Sequence, residues 1–296
     1  MDMPRKVIIT GDDFGLAMPV NDAILEAHRK GILTTASLMI GAKFAQDAVN
    51  RARQCPSLKV GLHLVLVEGR SVLPPKKIPD LVDESGMFLN HLARAGFRFF
   101  FYPGIKRQLE AEIRAQFEAF RDTGLPLDHV NAHNHMHIHP TVLRLLLRVG
   151  REYDLKAVRF PFEPPVQSSK AVGEGLGSRL ATSIFLYPWL NLMKRLLHRA
   201  GIRHNNYFFG MTDSGAMTLA RTLAFLRHLP KGTSELCFHP ATRRCWEIDQ
   251  TMPNYRHEEE LSVLMDMRLQ KAILALDIRM IAFSDLSKGV NSKLSS

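Results

Sequence analysis

The sequence predicts an α/β protein: a TIM-like (β/α) barrel of about seven parallel strands, with one unit of an eightfold pattern missing or degraded. An open doubly wound sheet is the alternative. Two observations carry this. Short β-branched or apolar runs alternate with longer stretches of helical period along most of the chain. Its 296 residues, 46% hydrophobic and 23% charged, suffice for one large domain and exclude disorder throughout.

In chain order, strands are expected at Lys6–Thr10, Ala36–Ile40, Leu58–Leu64, Leu127–Ala132, Lys156–Phe160, Ser234–Phe238 and Ile278–Phe283. The first holds Val7-Ile8-Ile9. The third alternates Leu58, Val60, Leu62 and Leu64 with Lys59, Gly61 and His63. Helices are expected at about Asn21–Lys30, Ala42–Arg53, Ile105–Thr123, Pro140–Tyr153, Ala216–His228 and Glu258–Leu276. Within Ile105–Thr123, the residues Ile105, Leu109, Ile113, Phe117 and Phe120 fall at steps of three and four, one buried face of an amphipathic helix. Strand, helix, strand in this order reads as right-handed βαβ units around a parallel sheet.

Two segments break the alternation and are expected as insertions, at about 68–102 and 167–214, in a single domain spanning 1–296. The first carries Pro-Pro-Lys-Lys at 74–77 and the aromatic cluster Phe97, Phe99, Phe100, Phe101 and Tyr102. The second runs from Ile184 through Pro188, Trp189 and Met193 into Lys194, Arg195, Arg199 and Arg203. An apolar front with a basic tail suits an interfacial segment or a greasy lid. The plainer reading is a helical excursion packed on the barrel.

The net charge of +10 favours polyanionic partners, among which composition does not choose. Three cysteines, Cys55, Cys237 and Cys245, exclude a disulfide scaffold and fit a reducing compartment. No uncharged apolar run reaches the roughly 18 residues of a spanning helix. No signal-peptide pattern follows Met1. The expectation is a cytoplasmic protein with peripheral contact at the inner membrane face. No Gly-rich phosphate loop, zinc-finger spacing or RNP-type strand supports a nucleic-acid partner.

Chemistry-bearing residues gather at strand ends. Thr10-Gly11-Asp12-Asp13-Phe14-Gly15 follows the first strand, and two carboxylates there suit one metal ligand and one proton acceptor. An Asp-rich turn capping the next helix is the alternative. His63 lies on the strand face turned from the helices. Then comes His129-Val-Asn-Ala-His133-Asn-His135-Met-His137-Ile-His139, five of thirteen histidines within eleven residues. That density points to a metal site, though spacing does not choose among His133, His135 and His137. Arg159-Phe-Pro-Phe162 and Leu236-Cys-Phe-His239-Pro240 end two later strands.

Asp12-Asp13, His63 in Gly-Leu-His, His133-x-His-x-His and His239-Pro240 together resemble the YdjC-like carbohydrate deacetylases, from about residue 5 to about 240. The wider NodB-type deacetylases share the order of elements, and Arg159-Phe-Pro-Phe162 matches their Arg-x-Pro-aromatic motif. Phe14 between the Asp pair and Gly15 departs from the wider pattern but is what the YdjC branch shows; Leu236-Cys-Phe-His239 departs from a plain Leu-x-His. The resemblance implies that Asp13, His63 and His133 hold one divalent ion, zinc first, magnesium or another divalent ion as the alternative. It implies Asp12 as general base, Arg159 as the partner keeping Asp12 ionised, and His239 as general acid.

The chain is most similar to the hopanoid-biosynthesis-associated members of that family. This implies an N-acetylglucosaminyl hopanoid as substrate, with Ile184–Arg203 and Phe97–Tyr102 against the lipid or an anionic membrane face. The competing readings are a deacetylase of soluble chito-oligosaccharides, a metal-dependent phosphoesterase, and a non-catalytic basic protein that binds membrane or nucleic acid. The phosphoesterase leaves Arg159-x-Pro unexplained. A dead scaffold is disfavoured because every catalytic position of the resembled family is filled.

Overall fold

The computed structural model describes residues 4–173 and 175–286. In chain order the elements are β1 Arg5–Phe14, α1 Met18–Lys30, β2 Thr35–Leu38, α2 Ala45–Arg53, β3 Lys59–Leu64, α3 Leu92–Phe101, α4 Pro103–Asp122, β4 Leu127–Ala132 and α5 Pro140–Gly150. They continue with α6 Pro165–Val172, α7 Leu176–Arg199, β5 Tyr207–Phe209, α8 Leu219–His228, β6 Gly232–Phe238, α9 Trp246–Asp249, α10 His257–Leu264, α11 Met267–Ala275 and β7 Arg279–Met280.

All the strand pairs are parallel, in the order β4-β3-β2-β1-β6-β5, with β7 joining β1 at Lys6 and Val7. Between β4 and β5 the wall has no full ladder. Residues 156–162 and 203 span it by single bonds: Val130 N donates to Ala157 O at 3.0 Å, Val158 N to Arg203 O at 2.9 Å, and Phe208 N to Phe162 O at 2.8 Å. The fold is therefore an incomplete (β/α) barrel. The strand expected at Lys156–Phe160 is reduced to isolated bridges; Phe160 N donates to the Asn205 side chain at 2.7 Å instead of to a strand, and Pro161 after it has no N–H to give.

The apolar face expected on α4 is buried in full, from Ile105 to Phe120. Two polar residues on that helix are buried as well. Glu112 accepts from Val72 N (2.8 Å) and Leu73 N (3.0 Å), and the Gln116 amide pairs with both Val65 N and Val65 O. Glu112 thus tethers the 68–102 excursion, and Gln116 satisfies the main chain just before it, where β3 ends.

Four expectations need correction. The first strand runs on to Phe14 and so contains the Asp pair. The segment 167–214 is more than an insertion, since its last part forms β5, a member of the sheet. The helix expected at Glu258–Leu276 is two, because Asp266 accepts from Arg268 N and caps a new start. The strand at Ile278–Phe283 shrinks to two residues. No helix among the described residues is long and apolar enough to cross a membrane.

Candidate metal centre and active site

In a regular strand Asp12 and Asp13 would point to opposite faces. The β1–β2 register breaks here: Gly11 pairs with Ala36 and Phe14 with Leu38, three steps on β1 against two on β2. This is a bulge, and Asp13 takes the left-handed conformation (φ 63°) within it. The extra residue turns both carboxylates toward the same end of the barrel. Leu16 N closes the turn onto Asp13 O at 3.0 Å, and Gly15 (φ 96°) allows the chain to leave without a Cβ meeting Ala45.

Asp13 is 1% exposed and neither of its oxygens has a hydrogen-bond partner. His63 Nε2 and His133 Nδ1 each lie 3.3 Å from Asp13 Oδ1. Ligands about 2.0–2.1 Å from a tetrahedral ion stand about 3.3–3.4 Å apart, so this spacing suits one. Tautomers sharpen the point. Asn131 Nδ2 donates to Ser37 Oγ (2.9 Å) and Asp12 Oδ1 (3.2 Å), which directs Asn131 Oδ1 at His63 Nδ1, 2.7 Å away. His63 therefore donates from Nδ1, and in the neutral ring Nε2 aims a lone pair at a carboxylate oxygen. Such an arrangement needs a proton or a cation between the two acceptors. Burial acts to raise the Asp13 carboxyl, yet His133 and His63, with a proton between ring and carboxylate, hold it well below the usual range. The donor set fits a divalent ion.

Asp12 is placed differently. Arg159, fully buried, donates to Asp12 Oδ2 from Nη1 (2.6 Å) and to Oδ1 from Nη2 (3.0 Å), while Nε and Nη2 also reach Glu235 Oε1 at 2.9 and 2.7 Å. Cys237 Sγ donates to Asp12 Oδ2 at 3.2 Å. Burial opposes the charge on Asp12, but Arg159 beside it keeps the carboxyl well below its ordinary value. Asp12, Cys237 and His239 form a second set of closely spaced donor atoms. Because Arg159 already neutralises Asp12, the set better suited to a cation is Asp13, His63 and His133.

The β1–β6 register ends with Gly11 beside Phe238, the residues just before Asp12 and His239, and donor atoms of Asp12 and His239 lie within 4.8 Å of each other. His239 lines a cleft of about 200 Å³ with Asp12, His63, His133, His135 and Tyr255. Burial lowers its pKa, so the resting ring is neutral.

The histidine run divides by role. His129 is a core residue between Ser37 Oγ (3.1 Å) and Asp128 (3.0 Å), and Gly61 admits its ring where any Cβ would clash at 2.4 Å. His133 joins Asp13. His135, left-handed at φ 53°, lines the cleft, and burial holds its pKa down at about 3. His137 donates from Nε2 to Arg159 O at 3.2 Å, and His139 caps α5 by accepting from Thr141 N. The structure thus brings Asp12, Asp13, His63, His133, Arg159 and His239 together, and leaves His135 and His137 out of the ligand cluster. Sequence reasoning gave no role to Asn131, Glu235, Cys237 and Glu260. A signal existed for the first three: polar residues inside strands whose neighbours are all buried.

The rim is apolar and basic. On α3, Phe97, Phe100 and Phe101 are exposed, as is Tyr102 just after it, and on α7 Ile184 and Phe185 are more than 70% exposed. Neither helix contains an acidic residue, while α3 carries Arg94 and Arg98 and α7 ends in Lys194, Arg195 and Arg199. Leu92, the first residue of α3, lines the cleft; Met211 lines both the cleft and a crevice beneath α7.

Residues 6–275 match a protein family described as YdjC-like, so the match runs past 240 into α11. A carbohydrate deacetylase of Brevibacillus brevis is 38% identical over 292 residues, covering 95% of this chain and 99% of the relative. One of Geobacillus stearothermophilus is 30% identical, covering 97% and 100%. Among solved structures, a protein of Enterococcus faecalis V583 described as a candidate cellobiose-phosphate cleavage protein superposes with a TM-score of 0.73. It is 22% identical and covers 95% of this chain and 98% of its own, which supports the fold.

Proposed function

The chain belongs to the YdjC-like protein family, and from that premise we propose that it is a metal-dependent carbohydrate N-deacetylase, hydrolysing the acetamido group of an amino sugar. The observation that carries this is the convergence of Asp13, His63 and His133 beside the Asp12–Arg159 pair at one cleft. Asp13, His63 and His133 would hold the divalent ion, zinc by its donor set. When bound, the ion supplies Lewis acidity to the acetyl carbonyl and to water.

The protein's own groups do the rest. Asp12, kept ionised and oriented by Arg159, takes the proton of the attacking water. Four donors on its two oxygens make it a weak base, so the cleft must supply the driving force for that transfer. His239, which lines the same cleft as Asp12, delivers a proton to the departing amine. Because its resting ring is neutral, His239 receives the proton that Asp12 takes from the water and passes it to the amine.

We further propose a glycolipid substrate, an N-acetylglucosaminyl hopanoid, taken at an anionic membrane surface. The exposed aromatic and aliphatic residues of the acid-free α3 and α7 support this, since large exposed apolar patches mark interaction sites and basic tails favour anionic headgroups. Soluble chito-oligosaccharides are the alternative substrate. Co-sedimentation with anionic and with neutral vesicles tests the surface. Binding to anionic vesicles that disappears in Phe97→Ser/Phe101→Ser/Phe185→Ser is expected; no binding to either kind refutes it.

A further inference from the structure

We infer that helix α10 is the positioning element for His239: Glu260 and His257, one helical turn apart, clamp the main chain of that residue from both sides. Glu260 Oε2 accepts from His239 N at 2.6 Å, and His257 Nδ1 donates to His239 O at 2.6 Å. Both residues are buried, at 1% and 2% exposure, and neither lines the cleft, so they reach it through the residues they hold, His239 first among them. The His239 ring has no hydrogen bond of its own among the described residues; Nδ1 is buried and unpaired, and the nearest ring is Tyr255, edge-on at 5.1 Å. Where the imidazole points is therefore set by its main chain and by packing.

The clamp also ties two loops together. Glu260 Oε1 accepts from Met217 N (3.1 Å), and Arg256 N donates to Gly215 O (2.8 Å), so the start of α10 joins the loop after β5 to the loop after β6. Both carboxylate oxygens accept from N–H groups. A glutamine in the same place would turn a donor against one of them, and a histidine with Nδ1 protonated is the only neutral tautomer that satisfies His239 O. Keeping a carboxylate here is costly, since burial pushes Glu260 up to about 7, and a cost of that kind is retained where a position is constrained.

The inference rests on the deacetylase reading for its substrate, and the test separates the two. Glu260→Gln, His257→Asn, His257→Leu and His239→Ala are assayed in the metal-loaded full-length protein on an N-acetylated amino sugar and on an aryl acetate, whose phenolate leaves without a proton. Wild type without activity on the amide refutes the deacetylase reading itself. With an active wild type, Glu260→Gln and His257→Leu are expected to lower kcat on the amide by about 10–100-fold, with KM and metal content within about twofold. Turnover of the aryl acetate falls less than about threefold, and His257→Asn, which restores a donor near Nδ1, recovers most of the loss. In a His239→Ala background the same substitutions have almost no further effect. Equal losses with and without His239, parallel losses on amide and ester, or unchanged turnover would each overturn the clamp. Should Glu260→Gln fail to fold, the His257 pair decides the matter by itself.

Discussion

Replacing Asn131 by leucine removes the group that sets the His63 tautomer while keeping the side chain's size. Three hydrogen bonds are lost, to His63 at 2.7 Å, Ser37 at 2.9 Å and Asp12 at 3.2 Å, all among buried partners. The His63 Nδ1–H is left without an acceptor, which costs about 1–3 kcal/mol of stability. The effect on the ion follows separately. Without Asn131 the ring is free to protonate Nε2 instead, and the protein must restore the productive tautomer whenever it binds metal. Outer partners of metal-ligating histidines are worth about 10–100-fold in affinity, or about 1.4–2.7 kcal/mol. Competition against a chromophoric chelator, with zinc and then cobalt, measures this directly. Circular dichroism of the same sample establishes that the variant is folded. A folded Asn131→Leu protein with wild-type affinity would refute the reasoning, because the lone-pair argument for the cation site would then carry no energy.

Asp12→Asn should bind metal normally and lose about 10²–10⁴ in turnover, whereas His63→Ala should lose both; turnover within tenfold of wild type in Asp12→Asn contradicts its role as the base. Glu260 holds its proton in the folded state up to about 7 but releases it near 4.5 when unfolded, so its contribution to folding becomes unfavourable as pH rises through that window. The loss approaches about 3 kcal/mol above pH 7, and urea midpoints of Glu260→Gln should lack that portion of the pH dependence; identical pH profiles would rule it out. Arg179, buried, donates to half-buried Glu163 at 2.6 Å and to buried Asp213 at 2.9 Å, and fastens the start of α7 to the barrel. Arg179→Met leaves Glu163 facing Asp213, which keeps Arg221 at 3.3 Å, costs about 3 kcal/mol and should lower the melting temperature by several degrees; an unchanged melting temperature contradicts the latch.

The alternation of strand and helix was readable because most elements bury one face, so period reports structure. It failed where that condition lapses. Tyr207–Phe209 is only three residues long, and no period can be read from three. Helix α7 exposes Ile184 and Phe185 and carries Pro188 inside it, so neither an amphipathic stripe nor a helix interior stands out. At the site, the chemistry of Asp12, Asp13, His63 and His133 was visible as residue types at strand ends. Their convergence on one ion was legible only through the family resemblance, because it depends on a bulge that two adjacent aspartates do not announce. Asn131 was legible as an inward position on the same face as His129 and His133. Glu260 was not: it ends a run of three glutamates that looks like any solvated helix start, and only the fold turns it toward His239.

Whether this cleft removes an acetyl group from an amino sugar in a metal-dependent way is read by mass spectrometry of N-acetylglucosaminyl hopanoid and of diacetylchitobiose, each incubated with the chelated and the zinc-reconstituted protein. Loss of one acetyl group from the lipid is expected with metal present and none after chelation. Turnover of diacetylchitobiose alone would contradict the lipid substrate, and no acetyl loss from either compound by the reconstituted protein would contradict the deacetylase.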